Sequence, residues 1–206
     1  MLTLRSLAIV LSLSALVPGL MTGCASREIS SQASSSLEPL RAQADRIEMH
    51  INRTGAAASD LLENPASDLT AQIDRLDQQT QSLQQTLNVG RQQAQSADAS
   101  VTEYFNDWDQ QLSTLSEDLA KSGQARRNQA TASFDKLRGD MRTFGEQARA
   151  YVAEMDESVR YLRTDKTSAG VKTVTGKIRQ ALNRQPALLS QLDNIQSQID
   201  AIRGVR

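Results

Sequence analysis

The sequence predicts an all-α protein: an elongated antiparallel three-helix bundle or coiled coil with a short helix in front. Three observations carry that expectation. Apolar residues recur at steps of three and four over most of the chain, which places them on one face of a helix. Only 10 glycines and 4 prolines punctuate 206 residues, too few for a strand-and-turn protein. Hydrophobic residues make up 39% but aromatics only 3%, so the apolar material is mostly aliphatic and suits narrow seams between long helices.

The balance of charge excludes little but points away from polyanions. The formal net charge is −1, and neither sign dominates, so nothing global suggests nucleic acid as a partner. One cysteine, Cys24, leaves no intramolecular disulfide and no cysteine-based metal cage.

Taken in order, the chain begins with a targeting segment. Arg5 supplies a positive start, and Leu7 to Val17 form an apolar run. Roughly 16 Å of helix is too short to cross a hydrocarbon core of about 30 Å. Pro18-Gly19 then breaks the helix, as secretory signals do. The next residues, Leu20-Met21-Thr22-Gly23-Cys24, resemble a bacterial lipobox. That resemblance implies that Met21, Thr22 and Gly23 form the cleavage motif, that residues 1–23 are a lipoprotein signal peptide, and that Cys24 is lipidated as the mature N-terminus. Losing Arg5 with the signal takes the formal charge from −1 to −2. Ala25 and Ser26, in place of an Asp after the cysteine, imply sorting to the outer membrane, facing the periplasm of a Gram-negative cell. A lipoprotein cysteine carrying several acyl chains is a stable anchor.

Residues 24–36 are rich in serine and lack periodicity, which predicts a flexible tether. Leu37, Leu40, Ala44, Ile47 and Ile51 share one face of a short helix over 37–54, capped by Ser35 or Ser36. Gly55 ends that face, and 55–64 reads as a linker. Asn64-Pro65 has the form of an N-cap followed by proline at the first helical position, opening the bundle of residues 65–206.

The first stripe of the bundle runs Leu69, Ile73, Leu76, Thr80, Leu83, Leu87, Gly90, Ala94, Ala97, Val101, Tyr104, Trp108, and after a small stutter Leu112, Leu115 and Leu119. Its middle, Thr80 and Gly90 to Ala97, is weak and built of small residues. An unbroken helix over 65–121 would span about 85 Å. Ser122-Gly123 is the expected turn. The second stripe runs from Ala130 through Phe134, Leu137, Met141, Phe144, Ala148, Tyr151, Val152, Met155 and Val159 to Leu162, with a polar turn over Thr164 to Ser168. The third runs Val171, Val174, Ile178, Leu182, Leu188, Leu189, Leu192, Ile195, Ile199, Ile202, with Pro186 expected to kink or restart it and Gly204 closing it. Short connections make neighbouring helices antiparallel.

Charge placement adds a register. Folding at Ser122-Gly123 sets Asp118 opposite Arg127, Asp109 opposite Lys136, Asp107 opposite Arg138 and Glu103 opposite Arg142. Folding near Asp165-Lys166 sets Lys177 near Glu154 and Asp156, and Lys172 near Arg160 and Glu157. Exposed pairs are worth at most ~1 kcal/mol each and select register more than they stabilise it.

From about Val101 to Gly204 the chain resembles a bacterial family of secreted helical proteins and lipoproteins of unknown function. The points of contact are Tyr104-Phe105 with Trp108, the Arg126 to Leu137 helix, Met141, and Val159-Arg160-Tyr161-Leu162 before a polar turn. Arg163-Thr164-Asp165 stands where that family often has an Asn-rich turn. The resemblance implies no activity, so no catalytic residue follows from it.

The residues themselves also point away from catalysis. His50 is alone on the short helix with Arg46 and Arg53 and reads as an exposed surface residue, since a site needs convergent partners. Glu154, Asp156 and Glu157 are acidic without calcium-loop spacing. There is no phosphate loop or nucleophile elbow. Residues 163–184 are strongly basic and could hold anionic lipid or cell-wall polymer, but a solvated face neutralised by the preceding helix is the better reading. Tyr104, Phe105 and Trp108 are an interaction platform or, by preference, a core anchor packed on Phe134, Met141 or Phe144.

The expectation is therefore a non-enzymatic cell-envelope lipoprotein, without cofactor or metal, anchored in the membrane through lipidated Cys24. Its role would be structural or interactive: binding an envelope protein or peptidoglycan, or self-associating. Two alternatives stand beside it. One is a periplasmic adaptor or chaperone-like binder using an open stripe around Leu83 to Val101. The other is an accessory factor or weak enzyme of an envelope hydrolase, which requires a pocket of convergent acidic and polar groups.

Overall fold

The first helix is where the chain departs most from the expected three-helix body. A computed structural model describes residues 22–204, with side chains from Ser35 onward. Its elements are α1 (Thr22–Glu63), α2 (Thr70–Leu112), α3 (Glu117–Thr164) and α4 (Ser168–Arg203), with no strand among the described residues. The body thus has four long helices, and α1, at 42 residues, is a full member of it. The backbone of 24–36, expected as a tether, is the start of α1.

α1 passes Gly55 because its apolar face continues beyond it. Ile51, Thr54, Ala58 and Leu61 keep the three-and-four spacing, and all four are fully buried. Gly55 is a point of close approach: a Cβ there would run into the Gln185 side chain of α4, whose Nε2 lies 2.9 Å away. Gly55 faces a flexible side-chain tip from within the helix and does not break it.

Asn64-Pro65 does not open α2 either. The Gln72 side chain holds the connection in an irregular form: its Oε1 accepts from the Ala66 N–H at 3.0 Å, and its Nε2 donates to the Asn64 carbonyl at 2.9 Å and to Asp60 Oδ2 at 3.0 Å. The connection itself is exposed, and the buried Gln72 ties its backbone to the first turn of a helix that starts late, at Thr70.

α2 then runs unbroken through Gly90, where Ile47 of α1 would lie 3.2 Å from a Cβ. It stops at Leu112, well before the expected turn. Ser113 Oγ donates to the Gln110 carbonyl at 2.6 Å and Thr114 Oγ1 to that of Gln111 at 2.8 Å, taking up helix-end acceptors. Ser122-Gly123 lies inside α3, and the missing Cβ of Gly123 makes room for the Leu112 side chain. Leu115, in the real turn, and Leu119, just past it, are exposed. Glu117 and Asp118 sit in the first turn of α3, where the helix dipole favours negative charge. α2 spans about 64 Å, not 85.

α4 crosses Pro186 without ending. Proline costs one helical hydrogen bond there, but Ala181, Leu188 and Leu192 bury on either side and carry the helix through. Gly204 closes α4 at φ 69°, its N–H directed at the Ala201 and Asp200 carbonyls.

Among the described residues the helix backbones approach one another around a ring, α1 to α2, α2 to α3, α3 to α4 and α4 to α1, and not across either diagonal. Each neighbouring pair is antiparallel, as the interhelical contacts show. Gln43 reaches the Thr86 carbonyl while Asp60 meets Arg75. Arg127 meets Asp109 at 2.6 Å while Arg163 meets Asp77. Lys177 meets Glu157 while Gln198 meets Asp140 at 2.6 Å. Asn52 meets Gln185 while Glu38 meets Arg203. The arrangement is an up-down-up-down four-helix bundle.

The turn at 113–116 also shifts the α2–α3 register by about nine residues from that of a fold at Gly123. Arg127 pairs with Asp109 and Arg138 with Asp98, in place of Asp118 and Asp107. In the second hairpin Lys177 pairs with Glu157, and it is Arg184 that reaches Glu154. The expected turn there was nearly right, so the register is off by only a few residues.

Candidate functional site

Of the lipidation motif, Met21 lies outside the described residues, and Thr22, Gly23 and Cys24 are described in backbone only, within the first turn of α1. No helix among the described residues is long and apolar enough to cross a membrane.

Tyr104, Phe105 and Trp108 are on one turn of α2, within 6.4 Å of each other by ring centroids. Phe105 is the most buried and meets Phe134 of α3 edge-on at 5.6 Å, with the Arg127 guanidinium 5.2 Å over its ring. Tyr104 and Trp108 flank this contact, half-buried. The aromatic pair and the cation above it pin the α2–α3 hairpin near its closed end.

His50 is half-buried rather than exposed, and its Nδ1 is buried with no partner. Burial first, and Arg53 second, lower its pKa below the usual imidazole value. Glu154, Asp156 and Glu157 of α3 are each paired: Glu154 with Arg184, Asp156 with Arg160 and Glu157 with Lys177. Of the basic stretch 163–184, Lys177 and Arg184 meet two of these acids from α4, and Arg163 of α3 meets the mostly buried Asp77 of α2. No group of three or more His, Cys, Asp or Glu is placed to hold a metal ion among the described residues.

What the structure does bring together is a cavity of about 470 Å³ between all four helices. Leu37, Leu40 and Ile47 of α1 line it, with Leu87, Ala94, Ala97 and Val101 of α2, Phe134, Leu137, Met141 and Phe144 of α3, and Leu192, Ile195 and Ile199 of α4. It exists because α2 is thin here: Gly90, Ala94 and Ala97 stand where the other half of the bundle has Ile73, Leu76 and Leu83 facing Tyr151, Met155 and Leu162, all fully buried. The weak middle of the first stripe was the visible trace of it. A four-helix ring leaves an interior wherever its seam residues are small, and a three-helix body would not.

The charged residues at the cavity are four arginines and one acid: Arg91, Arg138, Arg142, Arg149 and Asp98. All are exposed, so they stand at its mouth. Arg138 pairs with Asp98 at 2.5 Å. Arg91, Arg142 and Arg149 form no ion pair among the described residues, so the mouth is positive. From the sequence alone Arg138 is expected opposite Asp107 and Arg142 opposite Glu103, and the convergence of these arginines is missed because it depends on the α2–α3 register. No family model, curated protein or solved structure matches the chain.

Proposed function

We propose that this chain is a non-enzymatic binding protein of the cell envelope, anchored by a lipidated Cys24, whose helical bundle holds a ligand in its interior. The cavity of about 470 Å³ carries this reading, since it lies within the roughly 300–1,000 Å³ of small-molecule sites and has mostly apolar walls with a few polar groups. The lipobox-like Leu20 to Cys24 supports the location. A role that needs an open stripe at Leu83 to Val101 fits less well, because Leu83, Ala97 and Val101 are turned into the bundle. A hydrolase-like pocket would need several carboxylates together, and here Asp98 is the one acid among the lining residues.

Fractionation of cells tests the anchor. The native chain is expected with the outer membrane, and Cys24→Ser is expected to move to the soluble periplasmic or unprocessed inner-membrane fraction. Outer-membrane fractionation of Cys24→Ser equal to that of the native chain would refute lipid anchoring. Crosslinking pull-downs from the same two strains identify the macromolecules met through the anchor.

A further inference from the structure

We propose that the cavity takes one long-chain fatty acid, its alkyl chain lying along the bundle axis and its carboxylate at the arginine mouth. The inference rests on reading the cavity as a binding site, and it is independent of the anchor.

The shape argues for a chain rather than a compact ring system. The lining residues of α1 run from Leu37 to Ile47, about 15 Å of helix, and those of α2 from Leu87 to Val101, about 21 Å. The interior is therefore long for its volume. Its wall is mostly aliphatic and aromatic, with Gln43, Asn88 and Gln95 among the lining side chains, so most of its surface is apolar area that water hydrates poorly. An alkyl chain covers it.

The mouth argues for an anionic head. The one acid there, Asp98, already has Arg138 as its partner at 2.5 Å. That leaves Arg91, Arg142 and Arg149 without a counter-charge among the described residues. Guanidinium groups are planar forks that donate two parallel hydrogen bonds to a carboxylate. Arg142 and Arg149, both on α3 and seven residues apart, are on the same side of that helix. A volume of about 470 Å³ suits a single alkyl chain, which favours a fatty acid over a two-chain phospholipid.

The test is photolabelling of the full chain in non-ionic detergent with a palmitate analogue carrying a diazirine at its terminal carbon, followed by peptide mapping. Label is expected on the segments 87–101, 134–149 and 192–199, displaced by unlabelled palmitate. Arg142→Gln with Arg149→Gln is expected to raise the half-saturating concentration about tenfold or more, the loss typical of a charged hydrogen-bonded pair. The corresponding long-chain alcohol analogue should label the native chain as weakly as the acid labels that double variant. Ala97→Phe fills the cavity and should abolish specific labelling, and Ala97→Met, a milder filling, should reduce it if the phenylalanine variant does not fold.

Label scattered over the exposed surface would overturn the site, as would undiminished labelling of a filled variant with native circular dichroism. Equal labelling by acid and alcohol would overturn the role of the arginines. Loss of cavity label with intact Cys24-dependent fractionation refutes the ligand alone. The converse result refutes the anchor alone.

Discussion

Leu61→Ala lowers the unfolding free energy by about 2–5 kcal/mol, and Ile51→Ala by a similar amount, as large-to-small changes do at fully buried positions. The effect comes from lost transfer free energy and from the space left between α1 and its neighbours α2 and α4. Urea unfolding followed by circular dichroism measures it, the denaturant dependence staying constant while the midpoint falls. The two sites discriminate between architectures. With a short front helix ending at Gly55, Leu61 would sit in a linker, and its replacement would change stability by no more than about 0.5 kcal/mol. A loss of that size at Leu61 alone would mean that α1 ends early.

Gly170→Ala destabilises by about 1–3 kcal/mol despite the better helix propensity of alanine. Propensity alone would favour the change by up to about 1 kcal/mol. The opposing effect is steric and larger. Thr167 caps α4 by accepting from the Gly170 N–H at 3.2 Å, and Asp165 Oδ1 accepts from the Thr167 N–H at 3.2 Å and from its hydroxyl at 2.6 Å. This turn brings the Asp165 backbone onto Gly170, so that a Cβ would meet the Asp165 carbonyl oxygen, with the carbonyl carbon at 3.1 Å and the side-chain Cγ at 2.9 Å. Backbone cannot swing aside as a side-chain tip can, so overpacking wins. Gly176→Ala is the internal control. Nothing lies within 4 Å of its Cβ, and it should raise stability by up to about 1 kcal/mol. Thermal unfolding of the two variants should therefore shift in opposite directions.

The apolar faces were legible in the sequence because burial imposes the three-and-four spacing directly. Leu37 to Ile51, Leu69 to Leu83, Leu137 to Leu162 and Val171 to Ile199 all point inward as that spacing requires. The places where helices begin and end were not legible. Gly55 and Gly123 lie inside helices facing a side chain of a neighbouring helix, and a helical glycine looks the same in sequence as one required by a turn. Asn64-Pro65 has the form of a helix start, but Gln72, reaching back across the connection, decides otherwise through contacts that spacing does not reveal. Misplacing the turn at Gly123 displaced the whole α2–α3 register. It therefore hid the arginines that meet at the cavity, while the small residues Gly90, Ala94 and Ala97 stood in plain view without saying whether they meant tight contact or empty space.

Closure of the ring by α1 against α4 is the contact on which both the four-helix architecture and the cavity depend. In the native arrangement Gln196 Nε2 donates to Asp45 Oδ1 at 2.9 Å. In a Cys24→Ser background, Asp45→Cys with Gln196→Cys should be joined within one chain by a short bismaleimide, at a yield independent of protein concentration. Joining only between chains, at a yield that rises with concentration, would contradict the four-helix ring and the interior cavity with it.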